Sequence, residues 1–309
     1  VLCVFSSLWF VPRVKIIGIR KEKSFEIKKN FFGELLESEE KKFKEESSLA
    51  GALWKNELKF IEHENIKTEL NGYFTKFPVG KKAKSVNICF YLSLGIKQAM
   101  DKVEKEILKN FGDVPLLFRT FPFVAFFVLN NIISAKESFL VIKVNGETTD
   151  IYLIKKDSLS EVVAFPRGIN FLIRNMAAEL DTFLGEASST LRAYLRGHRS
   201  PESSGKIDAL IKQSKEEWLS FLSKTMADIA ENAPLPQTVF LLSDKIADKL
   251  FVDCVQNDDL AKFTILGKPL KVINIKPDWT AHYFDFNSIA PDDNDIVLMF
   301  ESFFANKIL

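Results

Sequence analysis

Phe139–Asp150 reads FLVIKVNGETTD, and Ile151–Ile154 follows at once before the turn Lys155-Lys156-Asp157-Ser158. The first six residues form an apolar run broken only by Lys143, which predicts a buried strand. Asn145-Gly146-Glu147-Thr148 is a tight polar turn, and a second strand follows it, so the stretch reads as a hairpin. A third strand is expected at Leu159–Phe165. Pro166-Arg167-Gly168 then turns the chain into a helix over Asn170–Leu180, with Asn170 as its N-cap.

Strands and helices alternate through the rest of the C-terminal two-thirds. Ile207, Leu210, Ile211, Trp218, Phe221, Leu222, Thr225 and Ile229 recur at helical spacing and predict a long helix over Lys206–Asn232. Short buried strands are expected at Thr238–Leu242 and Val272–Ile275, and an amphipathic helix at Ile296–Leu309. His198–Gly205 reads as a polar linker. Toward the N-terminus, VLCVFSSLWFVP reads as a strand, Val14–Ile19 as another, and Phe31–Glu46 as a charged amphipathic helix. A loop at Ser47–Ala52 leads to two strands, Leu58–Glu62 and Ile66–Leu70, and a turn at Asn71-Gly72. Val86–Leu92 predicts a buried strand, Ile96–Phe111 a helix capped by Gly112, and Val114–Ile133 a buried strand, turn and helix. Alternation of this kind implies a layered α/β fold.

The chain has 309 residues, 47% of them apolar and 27% charged, enough for a large core and two lobes. A net charge of +1 argues against a polyanionic partner, so no nucleic-acid role is expected. Cys3, Cys89 and Cys254 are scattered and suit a reducing compartment. His63, His198 and His282 stand far apart with no ligand spacing around them. No Walker-type or dinucleotide-type glycine loop occurs, and no nucleophile elbow. Lys81–Lys84 reads as a solvated turn, with an anionic membrane surface as the alternative.

Five motifs in order resemble the FtsA and PilM branch of the actin-like ATPases. Ile61–Ser85 contains Phe77-Pro78-Val79-Gly80, similar to that branch's Pro-Val-Gly turn. Gly112–Ile133 contains Phe121-Pro122-Phe123-Val124-Ala125, similar to its Pro-Leu-Ala helix start. Phe139–Asp150 resembles its second phosphate hairpin, Phe165–Asn170 its Pro-x-Gly-Gly-Asn turn, and Pro236–Lys245 occupies the place of its adenosine loop. The resemblance implies an actin-like (ribonuclease H-like) two-lobed α/β fold with a small inserted α+β domain. It places an SHS2/1C-like domain at 1–85, the remainder of the first lobe at 86–138, and the second lobe at 139–309 with a helical subdomain around 185–235. The family's opening Asp-Ile-Gly-Ser-like strand has no counterpart here. Val1 is therefore expected to lie inside the inserted domain of an N-terminally truncated chain. The first lobe's sheet is expected to expose an edge, with Val86–Leu92 less protected from hydrogen exchange than Leu140–Val144.

The resemblance also names a candidate nucleotide site. The family pattern Asp-Ile-Gly-Gly-Gly-Thr-Thr-Asp stands over Lys143-Val144-Asn145-Gly146-Glu147-Thr148-Thr149-Asp150, and Gly146, Thr148, Thr149 and Asp150 are kept. Asn145, Gly146, Glu147, Thr148, Thr149, Asp150 and Gly168 are the candidate phosphate-turn residues. Lys143 replaces the acid that would hold Mg²⁺, and an ammonium cannot ligate a cation. Glu147 replaces a glycine, and a carboxylate about 5 Å from a phosphate charge costs about 3 kcal/mol at an effective dielectric near 20. Ser243 and Asp244 replace the glycines that would lie against the adenosine. The plain alternative is that Thr148, Thr149 and Asp150 simply hydrogen-bond a β-turn. No residue is assigned a catalytic or metal-ligating role, and ATP with Mg²⁺ is a weak ligand at most.

By resemblance, the chain is expected to be an FtsA-like scaffold of bacterial cell division at the cytoplasmic face of the inner membrane. Such a scaffold binds protein partners with weak or no ATP hydrolysis. Its partners would be an FtsZ-like ring protein, or the tail of a pilus inner-membrane protein if the role is PilM-like. Self-association and peripheral membrane contact belong to the same expectation. The remaining alternative is a working ATPase whose first phosphate loop lies outside this chain.

Overall fold

The computed structural model describes residues 1–49, 57–133, 137–198, 204–231, 233–275 and 295–308. It divides into two compact units. One comprises Val1–Glu137, Lys155–Val162 and Val297–Leu309, and the other Ser138–Ile154 and Val163–Ile296.

The first unit is built on a four-stranded antiparallel sheet of β2 (Phe10–Glu26), β5 (Lys82–Ile96), β3 (Leu58–Leu70) and β4 (Tyr73–Phe74), in that order. β5 is central because its apolar run is the longest, with Ile88 through Leu92 and Leu94 all buried. Helix α1 (Phe31–Leu49) lays Phe31, Phe32, Leu35 and Leu36 against Ile27, Val86, Ile88 and Phe90. Farther along, its Phe43 meets Leu58, Leu92 and Leu94. β5 leads directly into α2 (Lys97–Phe111), which ends at Gly112 with φ +75°. A separate parallel pair joins β1 (Leu2–Phe5) to β6 (Leu117–Thr120). After β6 the almost wholly apolar α3 (Phe121–Ile132) begins with Pro122 in its first turn. Phe121 stacks on Phe300, and Phe123 and Phe127 meet Phe304 edge-on, so the closing helix α8 (Ile296–Ile308) packs through its aromatic side.

The second unit holds the hairpin β7 (Phe139–Val144) and β8 (Thr149–Ile154). β10 (Thr238–Leu242) runs parallel to β7, and β11 (Lys271–Asn274) parallel to β10. The sheet order is β11-β10-β7-β8-β9, and β9 (Leu159–Phe165) passes from the first unit to the second after Val162. Helices α4 (Ile169–Leu180), α5 (Leu184–Leu195), α6 (Ser204–Ala230) and α7 (Asp248–Val255) contribute to one core, with Met176, Leu191, Trp218, Leu222, Met226 and Phe251 at its centre. A 3-10 turn at Asp258–Phe263 precedes β11.

Several sequence expectations need correction. Leu58–Glu62 and Ile66–Leu70 are one strand, because bulges between Phe60 and Glu62 and between Asn65 and Lys67 carry the pairing through a polar middle. VLCVFSSLWFVP is two strands, β1 and the start of β2, separated by a turn in which Leu8 takes φ 83°. α1 continues to Leu49, so no loop begins at Ser47. Val86–Leu92 is not at an edge: β5 has β2 on one side and β3 on the other. α6 begins at Ser204, inside the expected linker. The rest of the linker at 199–203, the end of the loop at 50–52, and His282 lie outside the described residues. The expected boundary between 85 and 86 falls within β5.

Candidate functional site

The hairpin turn is closed by its own atoms. The Asn145 N–H donates to Thr148 O at 2.8 Å, leaving Gly146 and Glu147 as the loop tip. Asp150 is fully buried and accepts from Asn145 Nδ2 (2.8 Å), Thr148 Oγ1 (3.1 Å) and Tyr152 OH (3.0 Å). A carboxylate with three donors is well satisfied. Register sets Lys143 directly across from Asp150, and both are buried. Opposite charges at directly facing positions favour each other.

Thr149 faces the helical side of the unit. Its hydroxyl donates to Arg167 O at 2.7 Å and accepts from Trp218 Nε1 at 3.0 Å. Trp218 belongs to the apolar stripe of α6 and packs on Phe165 and Phe251. Arg167 lies beside Glu217 (2.8 Å) and over the rings of Phe171 and Phe221.

Gly168 precedes α4, and here the need for glycine is steric. A Cβ would lie 2.4 Å from both Asn145 O and Gly146 O. That approach lets the Ile169 N–H donate to Asn145 O (2.9 Å) and the Asn170 N–H to Gly146 O (2.8 Å). The first N–H groups of a helix are the donors best placed to hold an anion. In α4 they are spent on the turn carbonyls. The negative charge over this helix start is Glu147, which accepts from Asn170 Nδ2 (2.8 Å) and pairs with Arg174 (2.9 Å). The Asn170 hydrogen bond and the Arg174 guanidinium hold its carboxyl below the usual glutamate range. Asn170 is therefore not the N-cap expected from sequence; Gly168 occupies that position.

Ser243 and Asp244 follow β10 and tie down the approach to α7. Ser243 Oγ donates to the Asp248 carboxylate, and Asp244 Oδ1 accepts from the Ile246 N–H at 2.9 Å. Arg192 lies 3.7 Å from the other oxygen of Asp244. Burial pushes the Asp248 carboxyl above its ordinary value.

The structure thus brings Asn145 through Asp150 together with Gly168, and gives Lys143 a place opposite Asp150. Sequence reasoning missed the second ring of partners: Asn170 as a side-chain donor, Arg174, Arg167 and Trp218. Arg174 sits four residues beyond Asn170 on one helix face, a spacing that could have flagged the pair. Among the described residues, no three His, Cys, Asp or Glu side chains are grouped to hold a metal ion. His63 pairs with Glu40, and His198 is exposed.

A mixed five-stranded sheet whose first two strands form a β-hairpin, with a glycine-tight helix start against the turn, fits an actin-like α/β fold. Comparison with solved structures agrees. PilM in the PilM–PilN type IV pilus biogenesis complex superposes with a TM-score of 0.63 at 15% identity, over 99% of this chain and 79% of that one. MreB 5 of Spiroplasma citri bound to AMPPNP matches at a TM-score of 0.42 and 16% identity, over 69% and 66%. A Bacteroides thetaiotaomicron protein with an actin-like ATPase fold matches at 0.39 and 11%, over 89% and 67%. At 15% identity the likeness to PilM is one of fold. No protein-family model and no curated protein sequence matches the chain.

Proposed function

We propose that this chain is an actin-fold scaffold that works by binding protein partners, with ATP hydrolysis weak or lost. The observation that carries the reading is the closed turn. Asp150, Thr148, Thr149 and the first two donors of α4 are bonded within the protein, and Glu147 covers the helix start where a phosphate would bring like charge. Lys143 supplies a cation where Mg²⁺ would need an acid.

The choice of scaffold follows the likeness to PilM over nearly the whole chain. On that basis the setting is pilus assembly at the cytoplasmic face of the inner membrane, and the partner is the tail of a PilN-like membrane protein. An FtsA-like division role rests on the spacing around Pro78-Val79-Gly80 alone.

Isothermal titration of the protein with Mg-ATP tests the nucleotide half. The expected result is no heat up to millimolar nucleotide and no phosphate release. Low-micromolar binding with turnover would make the protein a working ATPase and overturn the reading. Titration with a PilN-type tail peptide and with FtsZ separates the two scaffold settings, the peptide alone being expected to bind.

A further inference from the structure

We propose that the tip of the four-stranded sheet, from Asn71 to Lys84, is a docking surface for an anionic lipid bilayer. Four large apolar side chains stand out within seven residues: Tyr73 is 79% exposed, Phe74 58%, Phe77 79% and Val79 52%. Exposed aromatics in such density mark an interaction site. The tip is a built feature. Thr75 N–H donates to Thr68 O (3.0 Å), Gly80 N–H to Ile27 O (2.8 Å), and Ile27 N–H to Lys81 O (2.9 Å). At its base, Asn71 Oδ1 accepts from the N–H groups of Lys84 (2.8 Å) and Ser85 (3.1 Å). Asn71, Gly72 and Gly80 all take positive φ, which makes the turns tight.

Charge names the partner. Asn71–Ser85 carries Lys76, Lys81, Lys82 and Lys84 and no acid. Lys28 and Lys29 follow Ile27, which is bonded to the tip, and both are exposed. The nearby acids on the flanking strands are Glu22, Glu26, in register with Lys82, and Glu69, which Lys67 holds at 3.1 Å. The whole chain is almost neutral, so this basicity is local. An open groove of about 950 Å³ adjoins the tip, lined by Arg20, Lys21, Lys84, Asn71 and Asn87 with Glu22 as its single acid. That set of donors suits a phosphodiester headgroup.

Aromatic side chains interleaved with lysines fit a bilayer better than a protein. Rings settle at headgroup depth while ammonium groups meet anionic lipid. Protein interfaces, by contrast, are depleted in lysine. Strand addition is a poor alternative, because β4 has two residues and offers almost no edge. The inference stands on this tip alone and does not depend on the nucleotide or pilus reading.

Cosedimentation with phosphatidylcholine vesicles, with and without phosphatidylglycerol, tests it. Binding is expected only to the anionic vesicles and should fall as salt rises. Lys81→Gln with Lys82→Gln should weaken it roughly thirtyfold, at about fivefold per lysine near an anionic leaflet. Phe77→Ser should weaken it by at least about tenfold, since its ring is exposed in the free protein and contributes only on insertion. Lys102→Gln with Lys105→Gln, on the exposed side of α2, should leave binding unchanged. A Phe77→Trp variant should show a blue-shifted emission on anionic vesicles. No binding, equal binding to neutral vesicles, or indifference to the tip variants would overturn the proposal. So would tip variants that abolish peptide capture or self-association while vesicle binding stays intact, which would make the tip a protein dock.

Discussion

Replacing Glu62 by glutamine should make the protein more stable above neutral pH and remove a pH dependence expected of wild type. Glu62 follows the bulge between Phe60 and Glu62, which sets it across from Ser93 and turns its carboxyl inward. It accepts from Ser93 Oγ (2.6 Å), from the Thr120 N–H (2.7 Å) and from Thr120 Oγ1 (2.7 Å), with Tyr91 OH 2.7 Å beyond that hydroxyl. Burial outweighs these bonds and the nearby Arg119, and raises the carboxyl from its ordinary 4.5 to about 7. The unfolded chain ionises near 4.5 and the folded one near 7, so between these values the native state holds a proton that the unfolded state has lost. Stability then falls as pH rises, by about 1.4 kcal/mol per pH unit and about 3 kcal/mol across the window. It is fully present below the lower value and gone above the upper. Glutamine has the same shape, keeps an acceptor for the Thr120 N–H and cannot ionise. Its amide donates to hydroxyls that can rotate to accept. Urea unfolding of both proteins from acid to mildly alkaline pH gives the difference at each pH, in which all other groups cancel. The glutamine variant should gain about 3 kcal/mol relative to wild type over that range. Parallel profiles would refute the reasoning, because Glu62 would then keep the same proton count folded and unfolded.

The hairpin and helix junction make two further predictions. Gly168→Ala drives a Cβ to 2.4 Å from two carbonyl oxygens, so α4 must draw back from the turn and lose the bonds from Ile169 and Asn170. A loss of about 3 kcal/mol or more is expected in urea unfolding, and an unchanged midpoint would contradict the close approach. Thr149→Val keeps the shape but strips Trp218 Nε1 and Arg167 O of their partner, at a cost of about 1–3 kcal/mol for each group left unsatisfied. Thr149→Ser should restore most of that stability; equal stability of the valine and wild-type proteins would count against the bond.

The hairpin was legible because β7 and β8 are short apolar runs on either side of a polar turn. β5, α2, α3 and α6 were legible for similar reasons of unbroken run or helical period. β3 was not, since His63, Glu64 and Asn65 interrupt its pattern and only the bulges opposite β5 keep the strand going. The outer half of β2, RKEKSFE, is mostly exposed and has no periodicity to read. α5 is rich in Gly, Ala, Ser and Thr, and its helicity depends on Ala187 and Leu191 finding the core of the second unit. Glu62 gave no local sign at all. Its burial is made by Ser93 and Thr120, far away in the chain, which is information that spacing does not carry.

The same distinction bears on the residues that depart from the actin-like pattern. Taken singly, Lys143, Glu147, Ser243 and Asp244 each look like damage to a nucleotide site, and Glu147 alone would cost about 3 kcal/mol against a phosphate. In the fold each has a place within the second unit. Lys143 stands across from Asp150, Glu147 sits between Asn170 and Arg174, Ser243 donates to Asp248, and Asp244 holds the Ile246 N–H beside Arg192. Neutral drift after loss of a ligand would leave such positions scattered in character and indifferent to their neighbours. Here each of the four meets a complementary group, and the hairpin turn and the start of α4 are bonded to each other within the protein. A turn that supplies its own acceptors to a helix start gains order from them at every moment. An ATP-dependent turn gains it only when nucleotide is bound. For the partner-binding scaffold proposed above, the first arrangement is the one physical chemistry favours.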